Sequence, residues 1–295
     1  MIVRKNNKGA TMRITVIGAA NIDIITKSKS KVIPADSNPA DVRLSAGGVA
    51  LNIAAMLARH GAKVDLITAI GKDPFGSLLR KSCNDIGINT EAWIVKSNTS
   101  TGVYLAALEN NGELYAAFNA MTAPESIRTG EITKHKSIIR EADLLILDLN
   151  LTEKILNTAI EQRDRRLVMV DAVSVAKVPR IKNLLSKIDI LKLNRMEAER
   201  LTGIKLDTKE RVKQACYHIV NQGVKRVFIT LGMAGACAAA KSNAIFVPAL
   251  PTKVKDVTGA GDAFSAGVAL HFSEDLRTQA EFGVALATEH MERNI

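Results

Sequence analysis

Near the C-terminal end, Asp256-Val257-Thr258-Gly259-Ala260-Gly261-Asp262 joins two glycines, a small spacer and a carboxylate just before the apolar, helix-period stretch Ala263–Leu270. Glycines one residue apart let the chain turn tightly at a helix start, where free N–H groups and the helix dipole favour an anion. A carboxylate at the mouth of such a cradle repels phosphate unless it has a task. Accepting the proton of an attacking hydroxyl is one such task, and phosphoryl transfer otherwise needs mainly positioning and charge stabilisation. The chemistry suited to this segment is transfer of a phosphoryl group to a hydroxyl, with Asp262 as the base. Alone, Gly-x-Gly-Asp reads equally as a capped, glycine-rich turn.

Three further segments carry chemistry. Asn194-Arg195-Met196-Glu197 follows the buried, strand-like run Ile188–Leu193, and ligands of open α/β sheets sit at strand C-terminal ends. Asn194 and Glu197 can share a first helical turn facing phosphates, with Glu197 holding magnesium directly or through water. The same pair is also a capping signature. Thr230-Leu231-Gly232-Met233-Ala234-Gly235 follows another strand. There Gly232 and Gly235 allow close approach of a nucleotide, although a plain β-turn has the same composition. In the N-terminal half, Gly18-Ala19-Ala20-Asn21-Ile22-Asp23 ends the first strand and Gly47-Gly48-Val49-Ala50-Leu51-Asn52 opens the first helix. Asp23 can accept two hydrogen bonds from vicinal hydroxyls. Gly47 and Gly48 let a polyol approach the backbone, and Asn52 lies one turn into the helix on the same side. A turn residue and an exposed helix residue are the plainer readings of Asp23 and Asn52.

These segments need a scaffold, and the chain supplies an alternating one. Strand-like runs at Arg13–Ala19, Lys63–Ala69, Leu144–Asp148, Leu167–Asp171, Ile188–Leu193 and Arg226–Leu231 alternate with helical stretches. The helices are expected at Ala50–His60, Pro74–Ile86, Thr152–Arg163 and Thr208–Gln222. Alternation of this kind predicts an α/β domain of parallel strands with crossover helices on both faces. One region breaks the rhythm. Thr101–Leu108 and Leu114–Phe118 flank the hairpin signal Asn110-Asn111-Gly112. With Ile22–Thr26 and Asp41–Leu44, they predict a small antiparallel sheet placed as a lid over the site.

Bulk composition narrows the function classes. With 295 residues and 47 % hydrophobic content, the chain can bury a sizeable core, as one large domain or two small ones. No apolar run reaches the roughly 18 residues of a membrane span. Residues 1–12 are polar, basic and without the apolar stretch of a secretory signal, so a flexible N-terminal extension is expected there. Cys83, Cys216 and Cys237 are far apart in sequence and in no metal-ligand spacing, which suits buried thiols in a reducing, cytoplasmic compartment. The net charge of +10 comes with only 4 % aromatic residues and scattered basic side chains. That favours anionic small molecules over nucleic acid.

From Arg13 to Gly283 the sequence resembles the ribokinase-like (PfkB) family of carbohydrate and nucleoside kinases. The resemblance rests on Asp256–Asp262, on Ala46-Gly47-Gly48 with Asn52, and on Asn194 with Glu197. Leu193 stands where family members usually carry Pro. The resemblance implies a single three-layer α/β/α kinase domain over 13–295, with a mostly parallel central sheet and a small β-sheet lid from segments near 22–45 and 100–119, which often supports a homodimer. It implies ATP, magnesium at Glu197 and, in many members, potassium. It also implies Asp262 as base, the amides of Gly259, Ala260 and Gly261 as anion hole, and nucleotide contacts at Asn194, Thr230, Gly232, Gly235 and Thr258. Within the family, Ala35-Asp36-Ser37-Asn38-Pro39 and Asn119-Ala120-Met121 resemble the bacterial kinases of pseudouridine. That implies pseudouridine as acceptor, with Asn21, Asp23, Gly47, Gly48 and Asn52 on the ribose side and Asp36, Thr101 and Asn119 toward the base and lid. A kinase of another nucleoside or sugar, and a non-catalytic nucleoside-binding protein, are the alternatives. Family members usually continue past the segment like Phe282–Ala287 into an Asn-rich turn and a last helix beside adenine and potassium. Here the sequence stops at Thr288–Ile295, the largest departure from the family pattern, and one that bears on adenine affinity and monovalent-cation activation.

Overall fold

The structure is a computed structural model that describes residues 11–241 and 243–292. Its strands are β1 (Arg13–Ile17), β2 (Asn21–Ser28), β3 (Ala40–Gly47), β4 (Lys63–Ile67), β5 (Ala69–Gly71), β6 (Ile88–Asn89), β7 (Ile94–Lys96), β8 (Gly102–Leu108), β9 (Leu114–Ala120), β10 (Leu144–Asp148), β11 (Leu167–Asp171), β12 (Ile190–Asn194), β13 (Arg226–Thr230), β14 (Ala236–Ala240) and β15 (Asn243–Val247). Its helices are α1 (Val49–Arg59), α2 (Pro74–Asp85), α3 (Thr122–Glu125), α4 (Thr129–Lys134), α5 (Lys136–Glu141), α6 (Glu153–Gln162), α7 (Arg195–Thr202), α8 (Lys209–Asn221), α9 (Ala260–Leu270) and α10 (Leu276–Glu292).

Among the described residues, nine strands form the central sheet in the order β15-β14-β13-β12-β11-β10-β1-β4-β6. It is parallel except at β13–β14 and β14–β15, so the expected mostly parallel α/β architecture is present. Its core strands are apolar on both faces because both are covered. In β10, Leu145 and Leu147 join one core cluster with α6 and α8, whereas Leu144 and Ile146 join the other with α1 and α9. Local chemistry sets the helix starts. Asp73 caps α2 at the Gly76 N–H (2.8 Å) ahead of Pro74, and Thr152 and Thr208 cap α6 and α8. Thiols of Cys83, Cys216 and Cys237 are buried and free; Cys216 and Cys237, remote in sequence, lie 3.7 Å apart at Sγ.

A second sheet has the order β3-β2-β8-β9. It was expected to be antiparallel, but its central pair β2–β8 runs parallel. Both strands leave the main domain in the same direction and are joined by a long crossover through α1 and α2, so hairpin geometry cannot apply to them. The expected strand 63–69 also divides. After Ile67 the chain leaves the main sheet, and β5 pairs with β7 instead. The hairpin β14–β15 and the short helices α3, α4 and α5 had no counterpart in the sequence reading. Of the expected extension, residues 1–10 lie outside the described residues. Met12 is buried, with its carbonyl accepting the Lys63 N–H at 2.9 Å. Among the described residues, no helix is long and apolar enough to cross a membrane.

Candidate active site

Strand order reverses at β1, which lies between β4 and β10. Crevices at such reversals, outside the strand C-terminal ends, are where α/β sheets bind ligands. Here they hold Asp148 at the end of β10, Asp171 at the end of β11 and Asn194 at the end of β12. Asp148 is fully buried and accepts the N–H groups of Ala19 (3.0 Å), Ala50 (3.1 Å) and Asn150 (2.9 Å). It thereby ties the β1 turn to the start of α1. Burial pushes its carboxyl above the ordinary value, against the pull of these bonds.

Asp262 stands in the first turn of α9, behind Gly259 in the left-handed conformation at φ 76°. Its carboxylate accepts a hydrogen bond from Asn52 Nδ2 on α1 at 2.8 Å. Burial, then the neighbouring Asp171, push its pKa up to about 7, while Lys192 and Asn52 pull the other way. A base poised near neutrality suits proton abstraction. The N–H of Ala260 reaches the Val257 carbonyl at 3.2 Å, and that of Thr258 is held by Asp256 at 2.7 Å. The turn before α9 is pinned from α10, where His290 Nε2 donates to the Thr258 carbonyl at 2.7 Å and the Met291 carbonyl accepts from the Lys255 N–H at 2.9 Å.

Asn194 and Glu197 form a reciprocal cap on α7. The Asn194 side chain accepts the Glu197 N–H (2.9 Å), and Glu197 Oε2 accepts the Asn194 N–H (2.7 Å). The capping reading is therefore correct, and it does not exclude a second role. Glu197 is buried, and burial raises its pKa. Among the described residues no group of three acidic, histidine or cysteine side chains is placed to hold a metal ion. A single buried carboxylate fits magnesium that keeps most of its water and phosphate ligands. Thr230, half-buried, donates to the Leu193 carbonyl at 3.4 Å; Gly232 is exposed, and Gly235 is buried in the following turn.

On the small sheet, Ser45, Asp23, Tyr104 and Asn119 occupy one cross-strand row, and residues paired this way share a face. Asp23 is half-buried and accepts Asn21 Nδ2 at 2.5 Å; burial raises its pKa. Gly47 is required by close approach, because a Cβ there would overlap the Asp23 carboxylate. Gly48 follows at the start of α1 and accepts the Asn52 N–H at 2.8 Å. Asn21, Asp23, Gly47, Gly48, Asn52 and Asp262 thus form one connected run of contacts. Asn119 shares the Asp23 row but is exposed. Thr101 is buried, with its hydroxyl donating to Asp73 (2.7 Å) and accepting from the Gly71 N–H (3.0 Å), so it braces β8 against α2. Asp36 is exposed, and its carboxylate caps the Ser37 N–H at 2.7 Å within its own loop.

Sequence reasoning passed over Asp148, Asp171 and Lys192. Each is a charged residue near the end of an otherwise apolar strand (Leu-Leu-Ile-Leu-Asp, Leu-Val-Met-Val-Asp, Ile-Leu-Lys-Leu-Asn). That was the available signal, since such strands rarely bury a charge without a partner.

Fold and site together define a phosphotransferase of the small-molecule kinase type. Residues 11–293 match the pfkB family of carbohydrate kinases, and the chain belongs to that family. One relative is the pseudouridine kinase of Escherichia coli, 33 % identical over 94 % of this chain and 91 % of its own length. Among solved structures, a carbohydrate kinase from Agrobacterium tumefaciens superposes with a TM-score of 0.82 at 28 % identity, covering 94 % of this chain and 90 % of that one. The Arabidopsis thaliana ribokinase, solved with ribose and ATP, has the same fold, with a TM-score of 0.84 at 24 % identity over 96 % of this chain and 94 % of that one.

Proposed function

We propose that this kinase transfers the terminal phosphoryl group of ATP to the 5′-hydroxyl of pseudouridine, giving pseudouridine 5′-phosphate and ADP. The observation that carries the chemistry is the Asn52–Asp262 hydrogen bond of 2.8 Å. It supports the reading because it links Asp262, in the first turn of α9, to α1, whose start adjoins Gly47 and the Asp23 row of the small sheet. The choice of nucleoside is supported by the relative that shares 33 % identity over nearly the whole chain.

In this reading Asp262 takes the proton of the attacking hydroxyl. The nucleoside 5′-oxygen then bonds to the terminal phosphorus as the bond from phosphorus to the departing ADP oxygen breaks. The backbone N–H groups of Gly259 and Gly261 receive the charge on the transferred group, joined by that of Ala260 once it turns from the Val257 carbonyl. Asn194, Thr230, Gly232, Gly235 and Thr258 line the nucleotide side. Glu197 would hold magnesium through water, where the ion would offset charge on the phosphates. Asp23, Asn21, Gly47, Gly48 and Asn52 hold the ribose; Asp36 and Asn119 approach the base from the small sheet, which acts as a lid, and Thr101 acts by bracing β8. The opposite face of that sheet carries the row Leu44, Ile24, Leu105 and Phe118, with Leu44 and Phe118 exposed beside Val42. Such an apolar face suits a homodimer through the lid. Three buried free thiols suit a cytoplasmic protein.

Coupled ATP turnover on pseudouridine, uridine, adenosine and ribose tests the assignment. Pseudouridine is expected to lead in kcat/KM by about tenfold or more, because a site built on hydrogen bonds rejects analogues that leave its polar groups unpaired. A lead by any other acceptor refutes the substrate, and no turnover with any of them refutes the kinase chemistry.

A further inference from the structure

Lys192 is buried at the end of β12, with its Nζ 3.2 Å from Asp171 Oδ2. The same carboxylate oxygen accepts the Ser265 hydroxyl from α9 at 2.6 Å, and Oδ1 accepts the Val173 N–H at 3.0 Å. Asp171 is therefore fixed from two sides and holds the ammonium in one place. That place is under the first turn of α9, where a Cβ on Gly261 would come within 2.9 Å of Nζ. Glycine at 261 thus also makes room for a cation directly below the proposed anion cradle. Lys192 faces three carboxylates, Asp171, Asp262 and Glu197, and burial lowers its pKa less than they raise it. A charge buried this way is costly unless its partners are fixed, and Ser265 and the Val173 amide supply that fixation.

We propose that Lys192, clamped by Asp171 and Ser265, is a positioning residue that sets the charge balance at Asp262, so that the base is available at neutral pH. The inference rests on Asp262 being the base. The groups facing Asp262 are Asn52 from α1, Asp148 from β10, Asp171 from β11 and Lys192 from β12; α7 brings Glu197 toward Lys192, and from α10 His290 is engaged at Thr258. Among the described residues that face Asp262, Lys192 is the cation, while Asp148 and Asp171 both push the proton affinity of Asp262 up. Removing the ammonium leaves the Asn52 hydrogen bond alone against that push.

The test is the pH profile of kcat and kcat/KM for the wild type, Lys192→Met, Asp171→Asn, the double variant and Asp262→Asn. Lys192→Met is expected to move the acid limb upward by about one pH unit or more, giving a roughly tenfold loss near pH 6 that shrinks toward pH 9. Asp171→Asn should move the limb downward. The double variant, which removes both charges, should return it to within about half a unit of the wild type. Should the single Lys192→Met variant fail to fold, the shift of Asp171→Asn and the return in the double variant decide the question. Loss by a constant factor at every pH, or unmoved limbs, would overturn the positioning role. Near wild-type turnover by Asp262→Asn would overturn the base assignment instead.

Discussion

Replacing Asp262 by Asn should cripple catalysis and stabilise the ligand-free protein, with a gain that grows from about pH 4 and is full above about pH 7. The carboxyl is raised from 3.8 to about 7, burial being the main cause. A carboxyl raised in the folded state adds nothing unfavourable below its unfolded value, where both states are protonated. Between the two values the unfolded chain has released its proton while the folded state still holds it, so stability falls as pH rises from the unfolded value and the loss is complete above the folded one. Each pH unit between the two values corresponds to about 1.4 kcal/mol, so the full penalty near pH 8 is at most about 4 kcal/mol. Asn keeps the shape and can still accept from Asn52 Nδ2, but it never ionises. Relaxation and water entry reduce the gain, so an increase in Tm of about 2–8 °C near pH 8 is expected, against about a quarter of that near pH 4.5. Thermal unfolding of both ligand-free proteins across that range measures it. In parallel, turnover should fall by about a hundredfold or more. The same Tm difference at both pH values, or a less stable variant at pH about 8, would refute the reasoning that the base is held under electrostatic strain.

Two other outcomes follow from the small sheet. Gly47→Ala drives a methyl group into the Asp23 carboxylate, so KM for the nucleoside should rise about tenfold or more while KM for ATP changes little, a split that initial-rate kinetics reads directly. Phe118→Asp places a charge in the exposed apolar row of the outer face, and light scattering should show a dimer becoming a monomer with its melting temperature within a few degrees of the parent.

The local features of this protein were legible in the sequence because short-range spacing decides them. Parallel strands buried on both faces follow from unbroken apolar runs such as Leu144–Asp148. The Asn194–Glu197 cap follows from a three-residue spacing, and the left-handed turn ahead of Asp262 from its glycine. Tertiary structure alone decided which of these features meet. Asn52 and Asp262 bond across 210 residues of chain, and Ser265 reaches Asp171 across 94. No spacing rule predicts such pairs, since they depend on the order of β1, β10, β11 and β12 in the sheet. The parallel pairing of β2 with β8 was hidden for the same reason: hairpin signals mark neighbours in sequence, while this pair is joined through α1 and α2. Asp262 shows the division most clearly. Its sequence neighbourhood marked it as a carboxylate at an anion-binding turn. Its proton affinity was set by burial and by Asp171 and Lys192, because desolvation and buried charge act through space and not along the chain.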